Sequence, residues 1–157
     1  MATPDDSTTP NDSEARLRRV LAELVTNASR LTRLASSLAA DNRPRPWMRA
    51  LSLLEEYGAL RVSELARLDT ISQPTATAVI KQLGEAGLVE RQRDPNDSRA
   101  VVVVMTDAGR DWLEESRDHV GATLSGHLPG LDADRVRRLS RSLEDLREVL
   151  KESSRPL

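Results

Sequence analysis

The chain has 157 residues, enough for one domain with an extension, and no cysteine, which excludes disulfides, thiolate metal sites and thiol-based redox sensing. Hydrophobic residues make up 38%, but aromatics only 2% with no phenylalanine, so the core must be built from Leu, Val and Ala, which favours helix packing. A net charge of -2 gives no global attraction to nucleic acid or membrane, and no apolar run is long enough to span a bilayer.

Residues 1–12, rich in Pro, Asp, Ser and Thr, read as a disordered N-terminal arm, too acidic and polar for the basic start of a signal peptide. The expected location is therefore the cytoplasm. A long helix should begin near Ser13, with Leu17, Leu21, Leu24, Ala28, Leu31, Ala35 and Leu38 in a heptad-like stripe. Pro44 and Pro46 should end that helical run. "WMRALSLLEEYG" reads as a second helix closed by Gly58, and "LRVSELARLD" as a short third one that Ser63 could cap. After a turn at Thr70 and Ile71, "SQPTATAVIKQLGEAG" reads as a fourth helix, with Ser72 at the N-cap, Pro74 in the first turn and Gly87 at the end.

Residues 91–106, "RQRDPNDSRAVVVVMT", bring arginines, turn formers and four consecutive valines together. They predict a hairpin with strands "LVERQR" and "AVVVVM" and a polar tip from Asp94 to Arg99. Thr106 should cap a fifth helix that Pro129 and Gly130 stop. A sixth opens at Asp132, with Leu131 and Val136 spaced as a hydrophobic staple. Along it, Val136, Leu139, Leu143, Leu146 and Leu150 again step by three and four. The two terminal stripes fit either an intramolecular bundle or helices that interdigitate with those of a second subunit.

The expected fold is mainly α with a small β-hairpin wing. Helix, tight turn and helix at "VSELARLDTISQPTATAVIKQL" fit a helix-turn-helix, and the hairpin that follows makes it winged. At about 100° per residue, Ala76, Val79, Ile80 and Leu83 fall on one face of the fourth helix, the core face. Pro74, Thr77, Ala78 and Lys81 fall opposite, with Gln73 and Thr75 on the flanks. Gln can hydrogen-bond base edges, Thr can meet phosphate or a thymine methyl, and Lys can reach phosphate or guanine. Arg99 on the wing suits a narrow minor groove, and Asp97, two residues before it, is placed to hold its guanidinium. Between Arg61 and Arg99 the basic residues Arg61, Arg67, Lys81, Arg91, Arg93 and Arg99 are balanced by Glu64, Asp69, Glu85, Glu90, Asp94 and Asp97. Binding then depends on where the charges sit. From Glu14 to Arg49 eight arginines stand against Glu14, Glu23 and Asp41, a surplus of +5 that fits a face toward DNA or an anionic ligand and equally a solvated helix face, the plainer reading.

With "GLVER", "DPNDSR" and "MTDAGR" in that order, residues 14–152 resemble the MarR family, the multiple-antibiotic-resistance type of winged-helix regulators. The resemblance implies an obligate homodimer on double-stranded DNA at a pseudo-palindromic operator, with a dimerisation lobe at 13–45 and 106–152 and a DNA-binding lobe at 46–105. It implies a repressor, less often an activator, that releases DNA on binding a small, often anionic or aromatic effector. By position, Ser72, Gln73, Thr75, Thr77 and Lys81 lie on the recognition helix, and Arg99 is the wing arginine supported by Asp97. Two positions depart from the family pattern: Thr70 stands for the glycine usual in the turn, and Ala78 for a common basic residue. No effector-binding residue can be named. Trp47, Met48, Arg16, Arg18 and Arg19 are candidates to line a pocket, with core packing for Trp47 and solvation for the arginines the plainer readings.

Two other functions compete. An enzyme would need a nucleophile–base pair, a metal set or a phosphate loop; His119 and His127 are too few for a zinc site, and neither catalytic residues nor a cofactor or metal are expected. A winged helix that binds only another protein is the alternative.

Overall fold

The computed structural model describes residues 10–39, 43–95 and 97–153. They form α1 (Pro10–Leu38), α2 (Arg45–Tyr57), α3 (Val62–Leu68), α4 (Gln73–Glu85), β1 (Val89–Asp94), β2 (Asp97–Met105), α5 (Asp107–His127) and α6 (Ala133–Ser153). The chain divides into two compact units, up to Val120 and from Gly121 onward. Most of the expected N-terminal arm, residues 1–9, lies outside the described residues. Its last three residues belong to α1, which starts at Pro10 because proline's preset φ and missing N–H suit a first helical turn.

The core of the first unit is aliphatic throughout. Ala50, Leu51 and Leu54 of α2 meet Leu65 and Ala66 of α3 and Ala76, Val79, Ile80 and Leu83 of α4. Leu60, Leu88, Val89 and Val103, with Leu113 of α5, complete it. The expected core face of α4 is therefore the buried one. Pro46 sits in the first turn of α2, and Gly58 closes that helix at φ 75, its N–H donating to Leu54 O at 3.0 Å. Ser63 does not cap α3. The cap is Arg61, two residues earlier, whose N–H donates to the Glu64 carboxylate at 2.7 Å. Ser63 lies inside the first turn, and the N–H that a cap hydroxyl would serve, that of Glu64, donates to Arg61 O at 3.0 Å.

The end of α4 is a Schellman motif. Gly87, at φ 73, donates to Gly84 O, and Leu88 donates to Leu83 O at 2.9 Å, with both leucines buried. The chain then enters an antiparallel hairpin whose pairs run from Val89–Met105 to Arg93–Val101. Leu60 adds a one-residue bridge on the far side of β2, exchanging two hydrogen bonds with Val103. Val102 and Val103 point to opposite faces and are both buried, so the middle of this strand is covered on both sides. The wing differs from expectation at its end. β1 continues to Asp94 and β2 starts at Asp97, with the register shifting between Arg93 and Asp94. Residues 98–100 thus bulge from β2, and Arg99 lies in the bulge rather than at the edge of a loop.

Thr106 caps α5 as expected. Its hydroxyl accepts the Gly109 N–H at 3.1 Å and donates to Gly87 O at 2.8 Å. In the second unit, Asp132 accepts the Asp134 N–H at 3.0 Å and opens α6. No residue of α6 is buried.

Thr70, in the turn between α3 and α4, is the only described non-glycine residue with positive φ, at 56°. A β-branched residue there is strained by about 1–2 kcal/mol, part of which glycine returns as extra freedom of the unfolded chain. Thr70→Gly should therefore raise stability by roughly 0.5–1 kcal/mol, read as a higher thermal midpoint in calorimetry; an unchanged or lower midpoint would show that the turn is unstrained.

Candidate nucleic-acid interface

The helix α4 is built to expose its first turns. Ser72 Oγ accepts the Thr75 N–H at 3.2 Å and shares a 2.7 Å hydrogen bond with Thr75 Oγ1. These two expected contact residues thus bond each other and hold the helix start in shape, with one hydroxyl hydrogen left to donate outward. Gln73, Pro74, Thr75, Thr77, Ala78 and Lys81 are all exposed. The Thr77 hydroxyl donates to Gln73 O at 2.9 Å, so it presents a methyl group and an acceptor to the outside. Lys81 lies 3.8 Å from Glu85, with both side chains largely in solvent, a pairing that holds the lysine weakly. The donors on this face are therefore the Gln73 amide, the Lys81 ammonium and whichever hydroxyl of the Ser72–Thr75 pair accepts the shared hydrogen.

On the wing, Asp97 does not hold the Arg99 guanidinium. One of its oxygens accepts the Arg99 backbone N–H at 3.1 Å, the short reach of an aspartate to the residue two ahead. The other accepts from Arg61 Nη2 at 3.3 Å. Arg61 also donates to Asp94 Oδ2 from both Nε and Nη2, at 3.2 and 2.8 Å. The hydrogen bond to Asp94 stabilises the Arg61 cation and raises its pKa above the ordinary value. Arg99 itself is exposed.

The even charge count between Arg61 and Arg99 resolves once the pairs are placed. Asp94 and Asp97 are taken by Arg61, Glu85 by Lys81, and Asp69 by Arg49 from outside the segment. Arg67, Arg91, Arg93 and Arg99 have no carboxylate partner among the described residues. Arg91 joins Thr77 and Lys81 along a groove of about 550 Å³ between α4 and β1, which Glu85 and Glu90 also line. The sequence reading passed over Arg91 and Arg93 as site residues. Their spacing of two along a strand, which puts both on one face, was the available signal.

A larger cavity of about 920 Å³ lies against α1 and α2, lined by Thr32, Arg33, Arg45, Met48, Arg49 and Leu53 among others. Of the expected pocket residues, only Met48 lines it. Arg16, Arg18 and Arg19 are exposed elsewhere on α1. Trp47 packs against Trp112, with ring centroids 5.8 Å apart, and donates from Nε1 to Gln82 Oε1 at 3.2 Å. Arg49 donates from Nε to Asp69 Oδ1 at 2.7 Å and from Nη2 to Asp69 O at 3.0 Å. Asp69 is the C-cap of α3, next to the strained Thr70. The cavity wall is thus tied to the turn that leads into α4.

Ser72→Ala removes the N-cap acceptor and should cost about 1 kcal/mol of stability, measured by denaturant unfolding. An unchanged midpoint would mean that the Thr75 N–H is served by another group.

Comparison with known proteins agrees with this geometry. The sequence profile described as the MarR family matches residues 45–101, from the start of α2 to the wing. An HTH-type transcriptional regulator of Mycobacterium leprae is 30% identical over 146 residues, covering 90% of this chain and 98% of that protein. The HTH-type transcriptional repressor IacR of Pseudomonas putida is 29% identical over 99 residues, covering 63% of this chain and 59% of its own. The PcaV transcriptional regulator of Streptomyces coelicolor, solved with its natural ligand, shares the fold at 20% identity and a TM-score of 0.52, covering 94% of this chain and 98% of its own. Among the described residues no helix is long and apolar enough to cross a membrane. The chain belongs to the MarR family and is a winged-helix, DNA-binding transcriptional regulator.

Proposed function

We propose that the chain is a cytoplasmic homodimeric repressor, bound to a pseudo-palindromic duplex site and released by a small molecule. The observation that carries the DNA reading is the placement of charge. The acid-poor first turns of α4 and four arginines without carboxylate partners stand on one segment whose net charge is zero. In this reading Gln73 meets base edges, the Thr77 methyl meets a thymine methyl, and Lys81 reaches phosphate or guanine. Arg99 enters the minor groove from the bulge. Ser72 and Thr75 shape the helix start beside the backbone, and Asp97 supports Arg99 through its N–H. Residues 46–105 form the DNA-binding lobe.

The dimer reading rests on apolar surface. Leu17, Leu31 and Leu34 of α1 are 58%, 64% and 58% exposed, and Leu139, Val149 and Leu150 of α6 are 60%, 61% and 57% exposed. Long rows of half-bare aliphatic side chains on both terminal helices call for a second copy, with 13–45 and 106–152 as the shared lobe.

The effector reading rests on the α1–α2 cavity. Arg33, Arg45 and Arg49 beside Met48 and Leu53 suit a small anionic, aromatic molecule. Its carboxylate would compete with Asp69 for Arg49 and loosen the turn before α4. The relative named a repressor and the regulator solved with its ligand support repression and ligand release. With no cysteine in the sequence, release does not run through covalent thiol chemistry.

Two measurements test this. Arg99→Ala should weaken binding across sequences and lower the slope of log affinity against log salt by about one unit per lost contact. Gln73→Ala should instead change which duplexes are selected from a random library. Normal folding with unchanged affinity and slope in Arg99→Ala would make the wing a scaffold rather than a DNA reader. Deleting residues 1–40 should leave an aggregating or unfolded chain; a well-folded monomer by sedimentation and circular dichroism would remove the dimer lobe.

A further inference from the structure

The wing bulge is poorly held by its own hairpin. β-Ladder pairing stops at Arg93–Val101 and resumes only at Asp94–Asp97, so residues 98–100 have no partner across the ladder. The isolated end of a two-stranded hairpin is marginal in water. What spans the gap comes from another element. Arg61 stands 33 and 36 positions from Asp94 and Asp97 and gives them three hydrogen bonds, two to the first and one to the second. Its backbone is anchored on both sides. Leu60, immediately before it, exchanges hydrogen bonds with Val103 at 3.1 and 2.8 Å, and its own N–H is held by Glu64. The clasp therefore runs from a fixed point on the helix-turn-helix to both acids that flank the tip.

We propose that Arg61 is a positioning residue for DNA binding. It clasps Asp94 and Asp97, fixes the bulge that presents Arg99 to the minor groove, and makes no DNA contact of its own. The inference rests on the reading of Arg99 as a DNA contact. It also accounts for two carboxylates on an element that approaches a polyanion. Asp94 is nearly buried, with 12% of its side chain exposed, and both acids face a cation. They are ligands for Arg61, and the backbone bond from Asp97 to the Arg99 N–H transmits the position to the bulge.

The test is a double-mutant cycle on the full-length protein, titrated against a duplex that it recovers from a random-sequence library. Arg61→Ala keeps the backbone N–H for Glu64, so α3 retains its cap. It should weaken binding by about tenfold, on the scale of a charge-assisted hydrogen bond. In the Arg99→Ala background the same change should shift affinity by less than about twofold. Additive losses would mean that Arg61 acts apart from Arg99 and would overturn the proposal. Asp94→Ala supplies a test of sign. By charge alone, removing an acid from the wing should tighten binding; the clasp requires it to weaken, and tighter binding would overturn it. A DNA-free measurement separates this from the DNA reading: hydrogen exchange of peptides covering 94–101 should accelerate in Arg61→Ala while those covering α4 stay unchanged. If wild type recovers no duplex, the function fails by itself. Unchanged exchange at 94–101 would still remove the clasp.

Discussion

The carbonyl of Leu88 accepts the Thr106 N–H at 3.1 Å, and a Cβ at position 109 would stand 2.1 Å from the same oxygen. Three elements meet at this point. Leu88 ends the Schellman motif of α4, starts the wing, and supports the first turn of α5. Only a glycine lets α5 come so close, because 2.1 Å is far inside any carbon–oxygen contact and backbone cannot step aside cheaply. Thr106 adds the hydroxyl that bridges Gly87 O and the Gly109 N–H. The separate phrases "GLVER" and "MTDAGR" are thus one physical unit, two halves of a joint that sets the recognition helix, the wing and α5 against each other.

With the scaffold set there, electrostatics need little energy to be decisive. An exposed ion pair such as Lys81–Glu85 contributes about 0–1 kcal/mol to stability, while Arg49 and Arg61 set partly exposed guanidinium groups against nearly buried carboxylates. Their larger effect is to consume acids. Asp69, Asp94 and Asp97 point at cations within the protein, and the arginines left over are those a phosphate backbone can neutralise. A chain of slightly negative net charge can then bind a polyanion through local arrangement, which a count of residues cannot reveal.

The parts legible in the sequence were those written locally. The core face of α4, its Ser72 cap, the Gly87 end, the Thr106 cap and the Asp132 cap each depend on residues within one or two turns, and each stands as read. Thr70 marked its own departure from the usual glycine, and its φ is positive. The misreadings have different causes. The Arg61 clasp joins residues more than thirty positions apart, and no spacing rule reaches that far. Ser63 looked like a cap because hydroxyl residues favour that position, but the helix already starts at Val62, and the Glu64 N–H is served by Arg61 O. The bulge at 98–100 was hidden because a run of turn formers does not state how many of them a strand will absorb. Asp97 was expected to hold the Arg99 guanidinium and instead accepts the Arg99 backbone N–H, which lies nearer the carboxylate than the end of an arginine side chain does.

The tethers on α4 determine what release of DNA would look like under the proposed mechanism. The helix is held at its C-terminal half by the Schellman motif and by Trp47 on Gln82, neither of which touches the α1–α2 cavity lining. Its N-terminal end follows a turn that includes Thr70, in a strained conformation, and Asp69, fixed by Arg49 from the cavity wall. A ligand can move an equilibrium only by the difference in its affinity for the two states. An anion in the cavity acquires such a difference if it binds Arg49 better once Asp69 has let go. The strain at Thr70 favours that exchange, because freeing Asp69 lets the turn relax. Only one end of α4 is thereby loosened, and because Ala76 stays packed in the core the helix would tilt on its buried face instead of sliding. Gln73 and Thr77 would travel further than Lys81. Base-edge contacts would be lost first, while lysine and wing arginines still hold phosphate, so specific binding would decay into weak non-specific binding before the protein leaves the duplex.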